Sequence, residues 1–468
     1  MGCHMTAHVA AHPRCLRLPT SLAKLPTEII QIITSYLPNS DIKTLRLTCK
    51  PLCNTVQLRL NRVFLSANPL NLAVFLAIAN NDARFVKLPP DVPFHEIDKE
   101  SGCPEWLVSE CKENIENRWM RKGSNIDRHI YRAKQIAAKM TMKQCWQYFQ
   151  NLFYEQDDVI SGNKDAEALR YGLPRLPALK RVTITPVAHG WIFNPLYETP
   201  MIRAFPKGFN YPIPRGWPHI PGGDLKPAAE AWENKGARKQ FRGFGIVTRA
   251  LTDYMHHQVS EFVIDVNYLD TGLNCCVFEQ PSFTEYQDFA TILCRPGFTR
   301  LGLALLVNNY GLARWPSFRS RYLHRALSEA RGLEHISLHT NVGPDPRAQF
   351  VPMRTVFPVD NWPSLRHFEL SGLIVDKDDL VAFLATLPST LHSVHLSFLY
   401  FPDNRGSWRE LLEDMREKLD WRTRRDPVSR PKVTVGTPTQ SFQIGHAVWI
   451  EQEVQAFLYG ESIRRQRR

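Results

Sequence analysis

One short pattern limits what this chain can fold into: an apolar residue, two variable residues, an apolar residue, one variable residue, and a third apolar residue. It occurs at Leu179, Val182, Ile184; Val259, Phe262, Ile264; Phe298, Leu301, Leu303; Leu333, Ile336, Leu338; Leu365, Phe368, Leu370; and Leu391, Val394, Leu396. The last two apolar positions alternate, as in a strand that buries one face. The five later copies follow an amphipathic helical stretch or an apolar turn. Such units hide their apolar face only by stacking on neighbours, which predicts an α+β or α/β solenoid of helix and strand.

The clearest unit runs from Trp362 to Tyr400. Asp376 or Asp378 is placed to start its helix, and Leu380, Phe383, Leu384 and Leu387 form the buried stripe at i, i+3, i+4, i+7. The pattern resembles the strand core of leucine-rich repeats. Asn267 and Asn341 fall at that family's ladder position, whereas Val187, Leu306, Leu373 and Leu399 occupy it in the other copies. Only the last interval, 26 residues from Leu365 to Leu391, matches the usual period, so the body from 179 to 436 is expected to be a degenerate, irregular repeat.

Near the N-terminus, Leu25 opens a run dense in helix signals. Pro26 suits a first helical position and Glu28 the positive end of a helix dipole, while Ile29, Ile32, Ile33, Tyr36 and Leu37 define an internal stripe. Pro38 stops this helix. Ser40 is placed to cap a second helix carrying Ile42, Leu45 and Cys49, and Pro51 starts a third with Leu52, Val56 and Leu60. Leu25, Ile30 and Leu47 fall outside the main stripes. About 40 residues bury little surface alone, so these three pack either on a partner or on the rest of the chain.

The stretch LPTEIIQIITSYLPNSDIKTLRLTCKPLCNTV resembles an F-box over its whole length. The resemblance implies a three-helix F-box at 23–65 in which Leu25, Pro26, Ile29, Ile32, Leu37 and Leu45 hold or contact the adaptor subunit that links such proteins to a cullin. It also implies a substrate-recognition subunit of an SCF-type cullin ubiquitin ligase, with the chemistry in other subunits. The alternative is an F-box-containing interaction scaffold acting outside ubiquitination. Arg62–Asn80, followed by Trp106, Cys111 and Asn114, is similar to segments behind the F-box in filamentous-fungal members, with the block at Ala83–Phe94 shortened.

The remaining boundaries follow from composition. Residues 1–22 are expected to be a disordered tail, 66–178 a mainly helical connection, and 437–468 a C-terminal tail. Within the body, 186–227 holds nine prolines together with Trp191, Tyr197, Phe205, Phe209, Tyr211 and Trp217. Such a segment is an ordered insertion, packed over an end or lining a binding surface.

In a repeat of this kind the variable strand positions share one face. That face gathers His335, Ser337, His339, His367, Glu369, Ser371, Ser393, His395 and Ser397. A polar stripe suits recognition of a peptide or folded protein, and His335, Ser337, His339, His367, Glu369 and His395 are the candidate substrate-binding residues. Its four histidines lack a carboxylate or thiolate set that would complete a metal site, so no metal and no cofactor are expected.

Hydrophobic content of 43% and charged content of 22% place the chain among ordinary globular proteins of roughly two to four structural units. Neither Leu301–Val307 nor Leu70–Ala79 approaches a bilayer-spanning length. With no secretory leader pattern and ten cysteines lacking framework spacing, a cytoplasmic or nuclear location with free thiols is expected. Membrane attachment would require lipidation of Gly2 or Cys3 in MGCHMT. The net charge of +12 is partly local, in Arg118–Lys143 and the last five residues, and predicts no specific nucleic-acid binding. Phosphate loops, nucleophile elbows, zinc-protease motifs and dinucleotide fingerprints are absent from the sequence, which favours a non-catalytic role.

Overall fold

The computed structural model describes residues 22–56, 62–80, 103–119, 126–214, 216–217, 229–307, 315–343, 349–424, 426, 429–438 and 447–460. The chain divides into two units, Met1–Val63 and Phe64–Arg468, beside the expected boundary at 65.

In the first unit a short turn at Leu22–Lys24 leads into helices α1 (Thr27–Ser35), α2 (Asn39–Thr48) and α3 (Lys50–Thr55). The Pro26 carbonyl accepts from the amides of Ile29 and Ile30, and Pro38 directly precedes α2. Ser40 therefore lies inside α2 rather than capping it. Ile30, Ile42, Leu52 and Val56 are buried together, with Leu25, Leu37 and Leu45 half-buried against them. The expected inward stripe of α1 is corrected: Ile29, Ile32, Ile33 and Tyr36 are exposed. Four isoleucines at 29, 30, 32 and 33 give this helix two adjacent apolar faces, and packing against α2 and α3 selects the one through Ile30. Of the three residues expected outside the stripes, only Leu47 is fully outward, at 87% exposure. Arg46 Nη1 donates to the Val56 carbonyl at 2.7 Å, closing the end of α3.

The second unit begins with α4 (Pro69–Ala79), α5 (Glu105–Trp119), α6 (Ile126–Ala137), α7 (Met142–Ser161) and α8 (Lys164–Gly172). The Asn68 side chain caps α4 by accepting from the amides of Leu70 and Asn71. Thr141 and Gln144 form a reciprocal capping box on α7. The described part of the insertion packs onto these helices: Ile192, Phe209, Tyr211 and Ile213 bury with Cys145, and Tyr148, Phe149 and Phe205 close around them. Asn114 donates to the Tyr211 carbonyl at 2.8 Å. Trp217 pins the far end to Thr271 through two hydrogen bonds of 2.7 and 2.9 Å.

Strands β1 (Arg181–Ile184), β2 (Glu261–Ile264), β3 (Leu273–Asn274), β4 (Arg300–Leu306), β5 (His335–Thr340), β6 (His367–Ser371), β7 (Ser393–Ser397), β8 (Lys432–Pro438) and β9 (Ala447–Ile450) form one open sheet. Its order is β1-β2-β4-β5-β6-β7-β8-β9, with β3 beside β4, and every pairing is parallel except β8 with β9. The fold is thus mixed α/β with a mostly parallel sheet.

All six copies of the apolar pattern lie in this sheet in one register. Val182, Phe262, Leu301, Ile336, Phe368 and Val394 pair in succession and continue to Val433; Leu303, Leu338, Leu370 and Leu396 make a second row ending at Val435. These residues share a core with Phe289, Leu327, Phe383, Leu384 and Leu411 from the intervening helices. Each fully buried large side chain contributes about 1.5–3 kcal/mol, and because the rows are continuous the units support one another. Asp376 caps the helix Lys377–Leu384 by accepting from the Asp379 amide at 3.0 Å, and its expected stripe is buried.

Two expectations about the body are corrected. Asn341 is buried and accepts from the Val307 amide at 2.7 Å, as a ladder residue does, but Asn267 is exposed in a left-handed conformation with φ 51°. Strand β2 ends at Ile264 and the chain turns at Asn267 and Tyr268, so Asn267 does not continue the ladder. The segment from 437 is not a tail through Tyr459, because β9 pairs with β8 and Val454 and Leu458 of the helix Gln452–Tyr459 join the main core.

Candidate ligand-binding face

Because side chains alternate along a strand, burying Phe262, Leu301 and their partners forces the intervening residues onto the opposite face. Register then sorts them into rows. The first runs Arg181, Glu261, Arg300, His335, His367, Ser393, Lys432; the second includes Ser337, Glu369, His395 and Thr434; the third includes Ala304, His339, Ser371, Ser397 and Gly436. All six candidate substrate-binding residues therefore stand on one face of three adjacent strands.

Several are tied to one another. His339 Nδ1 lies 2.9 Å from Ser371 Oγ, and His367 Nδ1 lies 2.8 Å from Ser393 Oγ. The His335 and His367 rings are 5.4 Å apart, and His395 Nδ1 is 3.6 Å from Glu369 Oε1. Among the described residues His335 Nε2, His395 Nε2 and Ser397 Oγ are buried without a hydrogen-bond partner. Unsatisfied groups of this kind are rare in interiors, and each costs about 1–3 kcal/mol.

Three of the histidines, His335, His339 and His367, are shifted towards the neutral form. Burial, then the charges of Arg300, His367 and Arg181, push His335 down to about 3. Burial pushes His339 down to about 4, against the opposing pull of the Leu269 carbonyl and Asp265. His367 is lowered by burial and by the neighbouring His392 and Arg300. At neutral pH the row is a set of uncharged donors and acceptors flanked by Arg181 and Arg300, both facing Glu261.

Sequence reasoning missed the aromatic residues that border this face. Tyr268 reaches over from beyond β2, and its hydroxyl donates to Glu369 Oε1 at 3.1 Å. Trp449 comes from β9 at the other edge, its ring 4.8 Å from His395 and 5.5 Å from Tyr268. Gly436 permits this approach, since a Cβ there would stand 2.4 Å from Trp449 Cζ3 and 2.8 Å from Ser397 Cβ. A glycine inside a strand, as at Gly436, is the sequence signal that could have pointed to a close approach.

On the helical module, Pro26, Ile29 and Ile32 are exposed, whereas Leu25, Leu37 and Leu45 are half-buried supports. Gly2 and Cys3, the shortened block at 83–94, Leu60 and the terminal arginines lie outside the described residues. Among those described, no three His, Cys, Asp or Glu side chains are grouped to hold a metal ion, and no helix is long and apolar enough to cross a membrane. Comparison with known proteins returned no matching family model, no similar curated protein and no similar solved structure.

Proposed function

We propose that this chain is a substrate-recognition subunit of an SCF-type cullin ubiquitin ligase, with the helical module at 23–65 as an F-box and the sheet body as a degenerate leucine-rich-repeat solenoid. The observation that carries the reading is the outer surface of the module. Ile29, Ile32, Ile33 and Tyr36 lie at i, i+3, i+4 and i+7 along the outside of α1, and Leu47 stands outward on α2. An apolar stripe left in water on so small a unit marks an interaction surface, and the F-box resemblance supplies its partner, the adaptor. In this reading the polar wall holds a protein substrate, raising its effective concentration beside the ubiquitin-loaded enzyme.

Co-purification of the full chain with adaptor and cullin tests the proposal. The unaltered chain is expected to bring down both, and Ile32→Asp combined with Leu47→Asp is expected to lose both while keeping its circular-dichroism spectrum. Failure of the unaltered chain, or unchanged capture by the variant, overturns the assignment. Capture of adaptor without cullin replaces it with the scaffold role.

A further inference from the structure

The polar wall differs between its two ends. Where the strands begin it presents Arg181, Arg300 and Lys432 in the first row. Where they finish, Tyr268, Phe398 and Trp449 gather, with Asp265 just beyond β2 and Glu369 of the middle row accepting from the Tyr268 hydroxyl.

Three observations single out the second end. The rings of Tyr268, Phe398 and Trp449 form a triangle with centroid separations of 5.5, 6.1 and 6.3 Å, yet Tyr268 is 36% and Trp449 42% exposed. Rings gathered only for packing would be drawn away from water. Tyr268 and Phe398 also hold left-handed backbone conformations, with φ of 56° and 50°. Each costs a non-glycine residue about 1–3 kcal/mol, and such strain concentrates at ligand sites. Finally, the charges of Glu369 and Asp265 both act on the Tyr268 hydroxyl. Arg300, which also acts on Glu369, is shared with Glu261.

Aromatic faces attract cations, most strongly within about 6 Å of the ring centroid, and a point above this triangle satisfies that distance for all three rings. We propose that Tyr268, Phe398 and Trp449, with Glu369 and Asp265, form a site for one cationic side chain of a protein ligand: a lysine, a methylated lysine or an arginine. The assignment rests on reading the wall as the substrate surface and names the chemistry that surface selects. The rings contact the alkyl and charged parts of the side chain, and the two carboxylates supply long-range attraction.

Titrating the full chain with the N-acetyl methylamides of lysine, trimethyl-lysine, arginine, norleucine and aspartate tests this, following the Trp449 indole resonance identified by its loss in Trp449→Phe. Saturable shifts are expected with at least one cationic probe, with norleucine and aspartate at least 10-fold weaker. Tyr268→Ala should weaken the cation at least 10-fold, and the isosteric Glu369→Gln, which keeps the fold, at least 3-fold. No saturable shift with any cation, an equal response to norleucine, or an unchanged Glu369→Gln overturns the proposal. Adaptor capture from the same preparations separates the two readings: capture without a cation response removes this site alone, whereas a cation response without capture removes the ligase assignment alone.

Discussion

The helical module and the sheet body solve burial in opposite ways. In the module four apolar side chains close a small core while Ile29, Ile32, Ile33, Tyr36 and Leu47 remain in water. In the body, one row of apolar residues runs unbroken from β1 to β8 and a second from β4 to β8, and the face left outside is polar. A short three-helix unit has more apolar stripe than interior, so its surplus becomes a surface for another protein. A stacked sheet has interior for every apolar row, so its outward face is free to carry chemistry.

The largest expected effect tests that contrast directly. Phe368, 1% exposed in the middle of the sheet, should cost about 3–5 kcal/mol when replaced by alanine, read from chemical denaturation of the body. Ile32→Ser on the exposed stripe of α1 should change stability by less than about 0.5 kcal/mol. Comparable losses at the two positions would abolish the distinction between filled interior and surplus surface.

Next in size is Gly436→Ala. The added methyl would meet the Trp449 ring at 2.4 Å, and overpacking of this kind costs about 1–3 kcal/mol. A lowered thermal midpoint, rescued in part by Trp449→Ala, is the expected result; a neutral substitution would show that the indole does not need its place against the strand.

A separate effect is in pH. His335 and His339 titrate near 3 and 4 in the folded body against an ordinary value of 6.5. Between those values the unfolded chain binds more protons, so stability falls as pH is lowered from about 6.5 towards 4 and is fully retained above that window. His335→Gln should flatten the dependence of the thermal midpoint on pH. The described part of the module contains no histidine, so its unfolding should lack this contribution, and an identical slope in both units would refute the assignment.

Much of the body was legible because its signal is local. A strand with alternating apolar residues has one way to bury them, and Asp376 lies next to the amide it caps. Helix α1 was misread because Ile29, Ile30, Ile32 and Ile33 satisfy two helical stripes, and periodicity gives no preference between adjacent apolar faces. The end of the body was misread because β9 is only four residues long and pairs antiparallel with β8, so it carries no copy of the apolar pattern. Asn267 matched a ladder position by count alone, without the strand continuation that a ladder needs.

The sequence by itself determined the helices of the module, the six strand cores and, through strict alternation, which polar residues share a face. Only the tertiary structure decided which side of α1 is left outside and what stands over the polar wall. The hydroxyl of Tyr268 meets Glu369 across a separation of 101 residues, and Trp449 reaches His395 from an edge strand that runs antiparallel to its neighbour β8. Alternation acts between residues two apart, whereas these contacts exist only after the register of the whole sheet has been set.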